Sequence, residues 1–135
     1  MKNEHPPIEA PVTFLYTKDL DSTVSFYTET LGLELAYDQK YCRFYYAGPA
    51  GFIGICFAGP NRYVEPKGVV FTFLTPDVDG WYTYLTSRGV TPEGPPHQGG
   101  STYAFFIRDP NGYLLEFQKF TDPSWPGPKL STHNH

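Results

Sequence analysis

Few side chains in this 135-residue chain have the type and setting to do chemistry, and the most suggestive is Glu116 in "IRDPNGYLLEFQ", residues 107–118. The segment reads as strand, tight turn, strand, with one carboxylate set among apolar neighbours on the second strand. Such a carboxylate can ligate a metal, act as a general base if burial raises its pKa, or accept a hydrogen bond from a ligand's amine or phenol. It can equally pair with Arg43 or Arg108, or lie solvated on the strand, because carboxylates are almost never buried unpaired. The histidines add little: His5, His133 and His135 sit on the terminal arms without ligand spacing. His97, in "PPHQGG", is a loop histidine of the kind usually exposed, although with Glu116 it could assemble a non-standard metal site. There is no His-Glu-x-x-His motif and no recognisable Ser-His-Asp or Cys-His arrangement. Cys42 and Cys56 fall in apolar strand-like segments and read as two buried free thiols of a reducing compartment. If "AGPAG", residues 47–51, is the turn between their strands, they lie close across a hairpin, which leaves a disulfide as the alternative.

The elements that position these residues come from an internal repeat. "VTFLYTKDLDSTVSFYTETLGL" begins at Val12 and "VFTFLTPDVDGWYTYLTSRGV" at Val70. The offset is 58 from Val12 to Val70 (70 − 12) and again from Asp19 to Asp77 (77 − 19). A second pair, "GPAGFIGICF" and "DPNGYLLEFQ", aligns Gly51 with Gly112. Each half opens with a strand of β-branched and aromatic residues, 12–17 and 69–75, followed by an Asp-rich helix start. Leu20, Val24, Tyr27 and Leu31 share one helix face, and Val78, Trp81, Tyr82 and Leu85 repeat the pattern. Gly32 and Gly89 terminate the helices, and Gly80 weakens the second. Three strands then follow in each half: 33–38, 41–47 and 51–58, then 91–95, 102–108 and 112–120. The order is βαβββ twice, an α+β fold. Its parts are a Pro-rich arm at 1–11, modules at 12–60 and 68–120, and a tail at 121–135. Trp125 in that tail either docks on the body or a second subunit, or belongs to a loose end.

Composition narrows the class. Charged residues are 18% of the chain, below the usual share of about 25%, and the net charge is −4 without a basic run, which argues against nucleic acid. Aromatic residues also make up 18%, enough to furnish a core, a cavity for flat ligands, or both. The first residues lack the apolar run of a signal peptide, and no stretch reaches the roughly 20 apolar residues of a membrane span, so the reading is a cytoplasmic protein with no membrane partner.

"DLDSTVSFYTETLGLEL" and "FFIRDPNGYLLEFQ" resemble the two signature segments of the vicinal oxygen chelate superfamily, which includes glyoxalase I, bleomycin resistance proteins, fosfomycin resistance enzymes and extradiol dioxygenases. The resemblance covers about residues 11–120 and implies paired βαβββ modules with a curved sheet cleft, commonly in a homodimer. It also implies four metal-ligand positions, on the first and last strand of each module, usually His, Glu or Gln. Seven residues before Asp19 and Asp77 stand Val12 and Val70, and four after Gly51 and Gly112 stand Ile55 and Glu116. One competent position in four falls short of the roughly three protein ligands of a catalytic zinc or iron site. The expectation is therefore no metal and no other cofactor, closest in type to the bleomycin resistance branch.

If the ligand-equivalent positions face the cleft, strand alternation brings in Val12, Phe14 and Tyr16, then Ile53, Ile55 and Phe57, then Val70, Thr72 and Leu74, and finally Leu114, Glu116 and Gln118. Leu15, Phe71 and Phe73 would pack beneath the helices. The predicted ligand contacts are Phe14, Tyr16, Ile55, Phe57, Thr72, Glu116 and Gln118, which suit a small aromatic or amphipathic molecule. Two function classes follow: a metal-free binding protein, or an enzyme (lyase, isomerase or dioxygenase). The enzyme would use Zn, Fe, Mn or Ni at a non-standard site, or Glu116 as a catalytic general base without metal.

Overall fold

The structure is a computed structural model and describes residues 5–129, so His133 and His135 lie outside the described residues. The β-branched and aromatic run "VTFLYT" forms β1 (Val12–Thr17). Asp19 then starts α1 (Leu20–Ser25) by accepting the Ser22 N–H at 3.3 Å, which satisfies one of the orphan donors of a helix start. The helix runs on as a π-helical turn, Phe26–Thr30, closed by the Leu31 N–H on the Phe26 carbonyl at 2.9 Å. Gly32 follows at φ 73°, the left-handed conformation that ends the helix. β2 (Leu35–Gln39), β3 (Cys42–Tyr46) and β4 (Phe52–Phe57) complete a four-stranded sheet ordered β1-β4-β3-β2, in which only the β1–β4 pair is parallel.

The second copy follows the same plan with β5 (Val70–Leu74), α2 (Val78–Ser87), β6 (His97–Gly99), β7 (Thr102–Arg108) and β8 (Leu114–Phe120), its sheet ordered β5-β8-β7-β6. This is βαβββ written twice, the α+β architecture that the repeat implies. At α2 the glycine that weakens helix propensity has a local use: the Gly80 N–H donates to Asp77 Oδ1 at 2.9 Å, and the carboxylate occupies the space a Cβ would need. One strand is misplaced by the sequence reading. Residues 91–95 are not a strand, and the pairing edge is formed by His97–Gly99 instead. Pro92, Pro95 and Pro96 lack the N–H that a ladder uses, so the segment bonds to β7 through the Glu93 N–H on the Phe106 carbonyl at 2.8 Å and the regular ladder starts at His97.

The chain divides into two compact units: residues up to Phe71 together with Arg108–Leu114, and Thr72–Ile107 together with the residues from Leu115 on. In the first, Leu15, Tyr45, Ile53 and Ile55 of the sheet are buried with Tyr27 and Leu31 of the helical segment. In the second, Phe117 stacks on Phe73, Trp81 and Phe105 at centroid distances of 5.0, 4.8 and 5.3 Å, an aromatic core on the α2 side of its sheet. No helix among the described residues is long and apolar enough to cross a membrane.

Cys42 and Cys56 face one another across β3 and β4 and are joined in a disulfide, so the expectation of two free thiols is corrected. The hairpin register opposes the two residues directly, as the turn at 47–51 had left open.

Candidate functional site

Each sheet has one face toward its helix and one open face, and pleat parity decides which residues reach the open one. In the first unit the register is explicit: Phe14 pairs with Gly54 and Gly54 with Phe44, while Tyr16 pairs with Cys56 and Cys56 with Cys42. These residues, with Val12, Phe52 and Tyr46 in the next row, make the open face. Phe14 and Tyr16 lie where the sequence reading puts them. Ile53 and Ile55 do not: both are fully buried in register with Tyr45 and Leu15, and the Tyr45 hydroxyl accepts or donates at 2.8 Å to Thr28 of the helical turn. Phe57 shares their parity, paired with Thr17, whose hydroxyl meets Thr23 of α1 at 2.9 Å. Ile55 and Phe57 are therefore removed from the open face.

The cause of that correction is a one-residue register difference. β4 starts at Phe52, directly after Gly51, whereas β8 starts at Leu114, two residues after Gly112. Aligning the two glycines carries that slip into the strands, and a slip of one exchanges the faces of every residue. By register, the residue beside Phe14 is Gly54, while at its repeat partner Thr72 the hydroxyl donates to Glu116 on the neighbouring strand. Gly54, not Ile55, is thus the counterpart of Glu116. A Cβ at Gly54 would meet the Phe14 ring at 2.8 Å and the Phe44 ring at 3.3 Å, and those two rings pack edge to face at 5.6 Å. The position holds no donor, and aromatic carbon fills the space a side chain would take.

In the second unit the corresponding place is polar. Leu115 and Phe117 are buried toward α2, which leaves Glu116 and Gln118 on the open face. Glu116 Oε1 accepts the Thr72 hydroxyl at 2.7 Å, and its Oε2 accepts the Gln118 amide at 2.7 Å. Of the arginines considered as partners, Arg43 pairs with Asp38 at 3.2 Å, and Arg108 donates to the Gly112 carbonyl at 3.0 Å. The half-buried carboxylate lines a cavity of about 330 Å³ with Thr102, Ala104 and Phe106 of β7 and with His97 of β6. His97 reaches it because its register partner is Ala104, so both share the open face. Among the described residues no three His, Cys, Asp or Glu side chains come together in a way that could hold a metal.

The turn of "IRDPNGYLLEFQ" has a separate, structural role. Asp109 Oδ1 accepts the N–H groups of Asn111 and Tyr113 at 2.8 and 2.9 Å, and its Oδ2 accepts the Tyr27 hydroxyl at 2.9 Å. Asn111 accepts from Thr17 at 2.9 Å and donates to Thr23 at 3.0 Å. Burial pushes the Asp109 carboxyl above its ordinary range, opposed by these hydrogen bonds, and burial next to Asp109 holds the Tyr27 phenol well above its own. The turn's conspicuous polar residues therefore fasten β1 and α1 rather than furnish chemistry, which the sequence reading did not foresee.

Residues 10–117 match the profile of the Glyoxalase/Bleomycin resistance protein/Dioxygenase superfamily. The chain belongs to that superfamily. Within it, the chain is 28% identical to a lactoylglutathione lyase of Haemophilus influenzae over 120 residues, covering 78% of this chain and 87% of the relative. It is 31% identical to a lactoylglutathione lyase of Arabidopsis thaliana over 113 residues, 73% of this chain and 39% of that longer protein. Among solved structures, a lactoylglutathione lyase from Agrobacterium tumefaciens aligns with a TM-score of 0.69 at 25% identity, over 84% of this chain and 95% of the other.

The resemblance to this superfamily implies a metal, and the residues present do not fit one. Val12 and Val70 offer no donor, Gly54 has no side chain, and the ring of Phe14 lies in its place. Glu116 remains, with both carboxylate oxygens already hydrogen-bonded.

Proposed function

We propose that this protein binds a small aromatic or amphipathic molecule on the open face around Glu116 without the superfamily's metal, most like the bleomycin resistance branch in type. The observation that carries this reading is the contrast between Gly54, covered by the Phe14 ring, and Glu116, held ready as an acceptor by Thr72 and Gln118. A carboxylate whose rotamer is fixed by two donors presents its remaining lone pairs at a set position, which orients a ligand's N–H or O–H while Phe106 offers a ring surface. Such a site recognises and retains a ligand and requires no bond to be made or broken. In this reading the protein acts as a homodimer in the cytoplasm, with no nucleic-acid partner.

A second reading is favoured by the names of its relatives: a glyoxalase-type lyase, in which Glu116 moves a proton as general base. His97 in the same cavity supplies a second proton-transfer group for that case. A thermal-shift screen of the purified protein against Zn²⁺, Ni²⁺, Mn²⁺, Fe²⁺ and a set of aromatic amines and phenols separates the two. Stabilisation by aromatic donors, reduced in Glu116→Gln, supports binding. Turnover to or from lactoylglutathione that disappears in Glu116→Gln would establish the lyase and displace the first reading.

A further inference from the structure

The second unit carries another cavity, which Glu116 does not line. It measures about 550 Å³ and is bounded by Leu74 at the end of β5, Gln118 and Phe120 of β8, and Trp125 and Pro128 of the C-terminal arm. That volume falls within the roughly 300–1,000 Å³ of small-molecule sites.

The arm that closes it is held in place by its own hydrogen bonds. The Thr121 N–H donates to the Ser101 carbonyl at 2.8 Å, Asp122 Oδ1 accepts the Ser124 N–H and hydroxyl at 2.9 and 2.8 Å, and the Trp125 N–H donates to the Asp122 carbonyl at 3.0 Å. This turn seats the indole on the Phe120 ring, with centroids 3.9 Å apart and planes 20° from parallel. Trp125 is nonetheless 42% exposed, so it forms a fixed aromatic wall with free surface.

Gln118 supplies a polar handle. Its amide nitrogen is committed to Glu116 Oε2, which fixes the orientation of the amide and leaves its carbonyl oxygen as an acceptor. Charge in the lining comes from Lys119, whose ammonium lies over the Tyr103 ring, 5.5 Å from its centroid. No carboxylate lines the cavity to balance a cation, and the chain's net charge of −4 disfavours an anion.

We propose that this cavity is a second ligand site, for a flat neutral aromatic or heteroaromatic ring bearing an N–H or O–H donor. The ring lies against Trp125 and Leu74, and its donor bonds to Gln118 Oε1. The site goes beyond the Glu116 reading and rests on Glu116 in one respect, the bond to its Oε2 that orients the Gln118 amide; probe shifts at Trp125 without shifts around His97 distinguish the two sites.

The test uses 1-naphthol and 1-methoxynaphthalene, which share a ring system and differ in the donor, titrated into the ¹⁵N-labelled full chain. The expected result is that 1-naphthol shifts the Trp125 indole and Gln118 amide resonances, and binds about 5–10-fold tighter than its methyl ether, the equivalent of one hydrogen bond. Trp125→Ala should abolish the Gln118 amide shift, Trp125→Phe should retain it with weaker binding, and Gln118→Leu, read at the Trp125 indole, should erase the difference between the two probes. Equal binding of both probes, or shifts confined to residues around His97, would overturn the proposal. So would Trp125 shifts that follow protein concentration instead of probe, because they would assign the patch to self-association.

Discussion

In the first sheet the row Phe14, Gly54 and Phe44 is closed by rings, whereas the related place in the second sheet, Thr72 beside Glu116, is closed by hydrogen bonds. Each row belongs to its own copy of the βαβββ unit and sits at the same step of that copy's open face. The difference shows how a duplicated fold separates its two copies: one gives up a side chain so that aromatic groups can close over the backbone, and the other keeps a carboxylate and surrounds it with donors.

The comparison can be broken most severely through its hidden side. Ile55 is fully buried against the helix, so Ile55→Ala should cost about 2–5 kcal/mol in chemical denaturation. Phe57→Ala, at 44% exposure, should stay within about 0.5 kcal/mol. A loss at Ile55→Ala as small as that at Phe57 would contradict the burial that assigns Ile55 to the helix side of β4. Next comes the disulfide on the open face of the first sheet: its reduction should cost about 3 kcal/mol, given a sequence separation of 14. Thiol titration of the unreduced, denatured protein should then find no free cysteine.

Smaller effects test the glycine itself. Gly54→Ala pushes a methyl into the Phe14 ring and should destabilise by about 1–3 kcal/mol, and Phe14→Ala in the same chain should recover part of that loss. If Gly54→Ala is neutral, the ring does not occupy the position. The smallest effect is at the arm. Donation from Ser124 holds the Asp122 carboxyl below its ordinary range, so the turn's contribution is present above the unfolded carboxylate pKa and is lost as pH falls through the lower folded value. The Trp125 share of the fluorescence, taken as the difference from Trp125→Phe, should change in that acid window. It should be flat from mildly acidic to neutral pH.

Much of this was legible in the sequence because local patterns agree with the fold. The 58-residue offset between Asp19 and Asp77 marks two helix caps that both form (77 − 19), and Phe14, Tyr16, Thr72, Glu116 and Gln118 follow from strand alternation. What was not legible depends on turn geometry and long-range register. The faces of Ile55 and Phe57 hinge on whether a strand starts one or two residues after a glycine, a detail that composition does not encode. The bond between Cys42 and Cys56 required the hairpin register, and the fastening roles of Asp109 and Asn111 required knowing which helix the last turn meets. His97 and Trp125 gave no spacing signal, and each becomes part of a cavity only through β6 pairing or a polar turn.

Whether Glu116 holds a metal is decided by elemental analysis of the protein purified without chelator, alongside Glu116→Gln. Metal-free binding requires zinc, iron, manganese and nickel each far below one per chain, with the same aromatic-donor binding before and after chelation. One equivalent of any of these metals per chain, lost in Glu116→Gln, would contradict it.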